Sequence, residues 1–326
     1  MQLPDISDVE SAAERISGLA VLTPLLIFPV LDEATGARVF VKPESLQRTG
    51  SFKFRGAYNC ISRIPESERA NGVVACSSGN HAQGVAAAAK LLGIAATIVM
   101  PADAPPIKLA RTRALGAEIV PYDRAKEDRE AITRDLAERT GATLVHPFDN
   151  RFVIAGQGTV GLEMAEQALA RGVTFDMAVT NAGGGGLTAG IALALEARMP
   201  ACALYVTEPE GFDDQARSFE TGTRQRNPKA SGSICDALLS EMPGELTFAV
   251  NRSRVKGGYQ VTDAEVLDAI GFAARELKLV VEPGGAAALA ALLSGRFDAR
   301  GKTVGIVISG GNVDPDILAE ALRRDS

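Results

Sequence analysis

The chain has 326 residues, 46% of them apolar and 23% charged, with a formal net charge of -6. This composition suits a soluble globular protein of two domains; the lack of a basic block argues against nucleic acid as a partner, and no apolar run reaches the roughly 18 residues of a membrane helix. The acidic, polar start MQLPDISDVESAAERI is unlike a secretory signal or transit peptide, so the expected compartment is the cytoplasm.

In chain order, the first pointed stretch is SFKFRGAYN at 51–59, where Lys53 stands between Phe52 and Phe54 just after the turn-like Thr49-Gly50. Lysines often lie along apolar surface with the charge in water. In a partly dry pocket the ammonium instead loses basicity and the amine becomes a nucleophile. Strand-like runs follow at 72–76 (GVVAC), 95–100 (AATIVM), 118–122 (EIVPY), 176–181 (DMAVTN), 203–207 (ALYVT) and 303–309 (TVGIVIS). Helical patterns occupy 82–92, 106–115, 125–139 and 187–197. Nearly continuous apolar strands alternating with helices predict an α/β fold, two domains with twisted, mainly parallel sheets flanked by helices. There is no repeat, low-complexity tract or Pro/Ser-rich linker, so the domains should be joined by crossings of the chain.

Open parallel sheets bind ligands at the carboxyl ends of their strands. Three loops there are rich in Gly, Ser and Asn: SSGNH at 77–81, NAGGGG at 181–186 and SGGN at 309–312. Together they predict one composite polar site. The glycines Gly183, Gly184, Gly185 and Gly186 let backbone N–H groups converge on an anion at a helix N-terminus. The plainer reading is that they only admit close helix packing. No Gly-Lys-Ser/Thr follows, so this is not a Walker loop. Gly184-x-Gly186-x-x-Ala189 with Glu208 loosely fits a dinucleotide site, the mark of a Rossmann-type NAD-dependent oxidoreductase, but that alternative leaves Lys53 without a role. Pyridoxal 5'-phosphate accounts for both features, with Lys53 for a Schiff base and the loop for the phosphate. Cys60, Cys76, Cys202 and Cys235 form no C-x-x-C pair, which argues against a zinc site or a disulfide framework. Two histidines, His81 and His146, are too few for a His-based hydrolase or a His-ligated metal enzyme.

SFKFRGAYN, SSGNHAQGVA, the tetraglycine loop, Glu282-Pro283-Gly284-Gly285-Ala286 and Ser309-Gly310-Gly311-Asn312 occur in the order found in fold-type II pyridoxal phosphate enzymes. HPFD at 146–149 and IAGQGT at 154–159 make the chain resemble the threonine/serine dehydratase and serine racemase branch. The likeness runs from about Leu22 to the C-terminus. It implies a tryptophan synthase β-like architecture and a homodimer. It also implies a large domain of residues 1–70 and 150–326 and a small, mobile one of 71–149 that closes over the substrate.

Carried over residue by residue, the resemblance implies that Lys53 forms the internal aldimine and removes the α-proton. Phe52 lies against the cofactor ring, Asn80 bonds its 3′ oxygen, Gly183 to Gly186 with Leu187 hold its phosphate, and Ser309 meets its pyridine nitrogen. Ser77, Ser78, Asn80 and His81 grip the substrate carboxylate, His81 as an orienting group and not a base. A serine beside the ring nitrogen, where a carboxylate would favour transamination, favours prompt β-elimination. Ser78 is a second catalytic candidate, because the serine at this position in the racemases works on the face opposite the lysine. The implied activity is an ammonia-lyase that converts a β-hydroxy amino acid (L-threonine, L-serine or L-threo-3-hydroxyaspartate) to the 2-oxo acid and ammonia. The alternative within the family is a serine/aspartate racemase with side dehydratase activity.

In EPEGFDD, Glu208, the Phe212 carbonyl and Asp214 match the ligands of metal-dependent members. All-oxygen ligation suits Mg²⁺ or Ca²⁺; the plainer reading is a solvated acidic turn. Arg129 matches an arginine that reaches the active site in some relatives and would pair with a second carboxylate. More plainly, it is a surface residue on a helix rich in charge pairs. SICDALLS at 233–240 lacks the glycine that follows the aspartate in threonine dehydratases, which weakens a plain threonine specificity. No regulatory domain follows the Ser309 motif, as expected of a catabolic type.

Overall fold

The computed structural model describes residues 2–104, 106–123 and 126–324. Its strands are β1 (Leu26–Ile27), β2 (Arg38–Pro43), β3 (Val73–Cys76), β4 (Ala96–Pro101), β5 (Glu118–Tyr122), β6 (Thr143–Leu144), β7 (Met177–Asn181), β8 (Ala203–Pro209), β9 (Val255–Val261) and β10 (Thr303–Ile308). The helices of the first half are α1 (Ile6–Ile16), α2 (Pro29–Thr35), α3 (Lys53–Ile61), α4 (Asn80–Leu92), α5 (Pro106–Ala114), α6 (Arg129–Thr140) and α7 (Arg151–Leu169). Those of the second half are α8 (Gly186–Arg198), α9 (Asp214–Thr221), α10 (Glu245–Asn251), α11 (Asp263–Phe272), α12 (Pro283–Leu293) and α13 (Pro315–Arg323).

The strands form a six-stranded sheet ordered β1-β2-β10-β7-β8-β9 and a four-stranded sheet ordered β5-β4-β3-β6. Only the β1–β2 pairing is antiparallel; the others are parallel, as the alternating pattern predicts. Both faces of the larger sheet are covered. The apolar α12, buried from Pro283 to Leu292, packs with α11 on one face. On the other face lie apolar residues of α7 and α8. The smaller sheet shares its apolar core with α4, but also with Phe54, Ala57 and Ile61 of α3 and Ile16 of α1.

Glycines of α7 set the spacing of the site. Side chains at Gly158 or Gly190 would collide with the facing backbone, so α7 and α8 cross nearly in contact. A side chain at Gly156 would lie 2.6 Å from the Arg55 carbonyl of α3. The helices that begin at Lys53 and at the glycine loop are thus drawn to the same α7.

The helix bounds differ from the sequence reading most at one place, and the sequence reading names no strand at β1, β2, β6 or β9. The helix expected at 125–139 begins at Arg129, where the Asp128 side chain accepts the N–H groups of Glu130 and Ala131; Ala125 lies outside the described residues. Strand β2 contains Lys42, which looks unsuited to a buried strand. Its ammonium is fully buried and donates to Thr23 O at 2.6 Å and to Glu163 at 2.7 Å. Strand β9, VKGGYQV, whose two glycines weaken its pattern, pairs in parallel with β8. Lys42 belongs to a buried network in which Arg55 donates to Glu44 at 2.7 and 2.9 Å and to Glu163 at 2.5 and 2.9 Å. Two cations thereby face two carboxylates, so every charge of this network has an opposite partner.

Candidate active site

Lys53 is the first residue of α3, a helix end with no side-chain cap. The preceding backbone is tied to the end of β10: Phe52 N–H donates to Ser309 O at 3.2 Å, and Ser51 bridges to Gly310. Lys53 is half-buried, its Nζ 5.1 Å from the Phe52 ring centroid and donating to Pro147 O at 2.8 Å. Burial brings its pKa down to about 8, against the opposing pull of the Glu282 charge.

The motif HPFD works as a joint. The Pro147 carbonyl holds Lys53, while Phe148 packs where a side chain at Gly184 would begin. Asp149 caps α10 through the N–H groups of Glu245, Leu246 and Thr247. His146 Nδ1 accepts from Asp149 N–H at 2.8 Å, and burial lowers its pKa.

In the glycine loop the carbonyls point away from the site. Gly183 O accepts from Gln215 Nε2 at 2.6 Å, Gly184 O from Thr247 Oγ1 at 2.7 Å and Gly185 O from Asn251 Nδ2 at 3.2 Å. Gly185 has φ +89°, a conformation that glycine adopts without strain. Among the described residues, no acceptor takes the N–H groups of Gly183, Gly184, Gly185, Gly186 or Leu187. Free donors at the N-terminus of α8 make a cradle for a phosphate. Gln215, Thr247 and Asn251, which turn the loop, carry no sequence signal near it.

Ser309 is buried, and its Oγ accepts from Asn181 Nδ2 at 3.0 Å, which leaves the hydroxyl proton free to donate. Asn181 is itself fixed by Ala288 N–H at 2.6 Å. Ser77, Ser78 and Asn80 are half-buried at the end of β3 and the start of α4; Ser77 Oγ accepts Gly79 N–H at 3.1 Å. Asn80 donates to Glu282 at 2.5 Å and accepts from Asn312 Nδ2 at 2.8 Å. His81 Nε2 lies 2.8 Å from Val145 O, so it carries the proton and Nδ1 is a buried acceptor without a partner among the described residues. Burial first, then the Lys53 charge, lower its pKa to about 3, so the ring is neutral.

Arg129 is exposed at the start of α6, and its charge is felt at Cys76 and His146. Glu208, Phe212 and Asp214 lie together at the end of β8 and the start of α9, all buried. Glu208 accepts the N–H groups of Gln215 and Ala216 at 2.8 and 2.9 Å. Asp214 Oδ1 accepts from Asn227 at 2.6 Å, while the buried Oδ2 has no partner among the described residues. Burial raises Asp214 to about 7, and burial with the Asp214 charge raises Glu208. Two facing carboxylates with an orphaned oxygen fit a hard cation. Among the described residues no three His, Cys, Asp or Glu side chains gather, so carbonyls and water would complete its shell.

Residues 16–310 match the family described as pyridoxal-phosphate dependent enzyme. The chain is 47% identical to an L-threo-3-hydroxyaspartate ammonia-lyase of a Pseudomonas species over 323 residues, 99% of this chain and 100% of that one. It is 41% identical to a serine racemase of Schizosaccharomyces pombe, over 99% of this chain and 98% of that one. The structure of maize serine racemase superposes with a TM-score of 0.92 at 37% identity, covering 98% and 97% of the two chains. The chain belongs to the family of pyridoxal-phosphate dependent enzymes. The nicotinamide alternative is thereby corrected. Glu208, which it needed as a ribose acceptor, is fully buried.

Proposed function

We propose that this protein is an ammonia-lyase for β-hydroxy amino acids, of the class of L-threo-3-hydroxyaspartate, L-serine and L-threonine, yielding the 2-oxo acid and ammonia. The observation that carries the reading is Lys53, a lysine of lowered basicity held on the Pro147 carbonyl beside Ser309 and the free N–H cradle. The cofactor supplies a sink for the electrons left at the substrate Cα. The N–H groups of Gly183, Gly184, Gly185, Gly186 and Leu187 would hold its phosphate, and Asn80 and Ser309 would take its polar ring atoms. Lys53 Nζ takes the Cα proton. At a pKa of about 8 roughly one lysine in ten is neutral at pH 7, against fewer than about one in a thousand at the ordinary value. Ser77, Ser78 and Asn80, at the N-terminus of α4, bind the substrate carboxylate, and neutral His81 orients that loop.

A racemase is the second reading. It is favoured by Ser78, whose hydroxyl makes no hydrogen bond among the described residues and is free to carry a proton. Four further features belong to the proposal. Residues 71–149 move as a small lobe, supported by a four-stranded sheet that lies wholly within them. Mg²⁺ or Ca²⁺ binds at Glu208, the Phe212 carbonyl and Asp214. The protein acts as a homodimer, supported by exposed Val21, Leu22, Ile27 and Leu46 near the edge strand β1. It works in the cytoplasm, supported by four free cysteines; no helix among the described residues is long and apolar enough to cross a membrane.

The test offers L-serine, L-threonine and L-threo-3-hydroxyaspartate to the enzyme with pyridoxal phosphate and Mg²⁺, following 2-oxo acid and ammonia. Release that disappears in Lys53→Ala establishes the lyase. D-amino acid without 2-oxo acid establishes the racemase instead.

A further inference from the structure

Glu282 opens the EPGGA stretch, to which the proposed chemistry gives no role. It is the N-cap position of α12, yet its side chain caps nothing there. The carboxylate points instead at the Asn80 amide, 2.5 Å away, and leans on Gly310, where any side chain would strike Oε1. The backbone is fixed to the same loop, Glu282 N–H donating to Gly310 O at 3.1 Å. The other end of the Asn80 amide accepts from Asn312 Nδ2, which also donates to Thr49 O at 2.8 Å. Both ends of the Asn80 amide are therefore held by the six-stranded side of the molecule, although Asn80 belongs to α4 of the four-stranded side. One Asn80 N–H remains for another acceptor.

We propose that Glu282 is a positioning residue: its carboxylate fixes the Asn80 amide so that the remaining N–H faces the cofactor. The proposal rests on the placement of Asn80 at the cofactor given above. The charged groups around Glu282 are Lys53 of α3, Lys108 of α5 and Asp236 of the turn Asp236–Leu238, with the Asn80 amide from α4 and the Asn312 N–H from the loop after β10. Lys108 and Asp236, themselves paired at 2.9 Å, pull the carboxyl in opposite directions. Burial then dominates and lifts the carboxyl to about 7. Charging of Glu282 therefore falls in the neutral range, and a neutral Glu282 removes the pull that keeps Lys53 basic.

The test uses the full-length holoenzyme and its variants Glu282→Gln, Glu282→Ala and Asn80→Ala. Glu282→Gln keeps an oxygen acceptor for Asn80 but not the charge, whereas Glu282→Ala keeps neither. Expected are a loss of pyridoxal phosphate affinity of about tenfold in Glu282→Ala, retention within about threefold in Glu282→Gln, and in Glu282→Gln the loss of an acid limb near neutral pH. In wild-type enzyme carrying carboxyl-labelled glutamate, Glu208 and Glu282 should both titrate above the ordinary range, and one of these resonances should be missing from Glu282→Gln. This signal decides the matter even where Glu282→Ala fails to fold. The proposal is overturned if a folded Glu282→Ala keeps the wild-type cofactor affinity, or if none of these titrating resonances is missing from Glu282→Gln. If Asn80→Ala leaves cofactor affinity and turnover unchanged, the placement of Asn80 falls first. If Asn80→Ala is impaired and both Glu282 variants behave as wild type, only the role of Glu282 falls.

Discussion

The ring of Phe148 fills the space in which a side chain at Gly184 would begin, so the loop after β6 and the loop after β7 fit only because residue 184 is glycine. Gly184→Ala should force the glycine loop away from Phe148 and turn its N–H groups out of register. Overpacking of this kind costs about 1–3 kcal/mol. Cofactor titration should show a weakening of about tenfold or more, partly restored in Gly184→Ala/Phe148→Ala. An unchanged affinity in the single variant would remove the loop from the phosphate site.

The Arg55 guanidinium, fully buried between Glu44 and Glu163, fastens α3 two residues beyond Lys53. Arg55→Met leaves two carboxylates with only Lys42 for company. Breaking a buried pair costs about 3–5 kcal/mol. Urea unfolding should report a loss of that size, and a change below about 1 kcal/mol would mean that water reaches the network.

Glu208 and Asp214 set a pH dependence opposite to that of a salt-bridged acid. Their folded pKa values lie above the unfolded ones, so these groups favour the fold at low pH and the benefit is lost as pH rises through about 7. In chelator, thermal stability should fall across that range. Mg²⁺ or Ca²⁺ at about a hundred times its Kd should restore about 2.7 kcal/mol. Asp214→Asn should flatten the pH dependence and abolish the cation response; a response that survives places the cation elsewhere.

Arg129 offers a test of the proposed substrate class. If it meets a second carboxylate when the small lobe closes, Arg129→Ala should raise KM for L-threo-3-hydroxyaspartate about tenfold or more and leave KM for L-serine nearly unchanged. Equal effects on both substrates would return Arg129 to the surface of α6.

The sequence by itself determined the alternation of strands and helices, the three polar loops and the lysine that follows Thr49-Gly50. These are local signals: apolar runs, glycine clusters and a motif order survive without knowing what lies opposite. The tertiary structure decided the rest, because the partners are far apart in the chain. Lys42 is tolerable in a strand only because Glu163 lies across from it, and Glu282 meets Asn80 only when the starts of α12 and α4 are brought together. The lowered basicity of Lys53 has the same origin. Its neighbours Phe52 and Phe54 hint at a dry pocket, but the burial and the Pro147 carbonyl that hold the amine exist only once residues 53 and 147 have met.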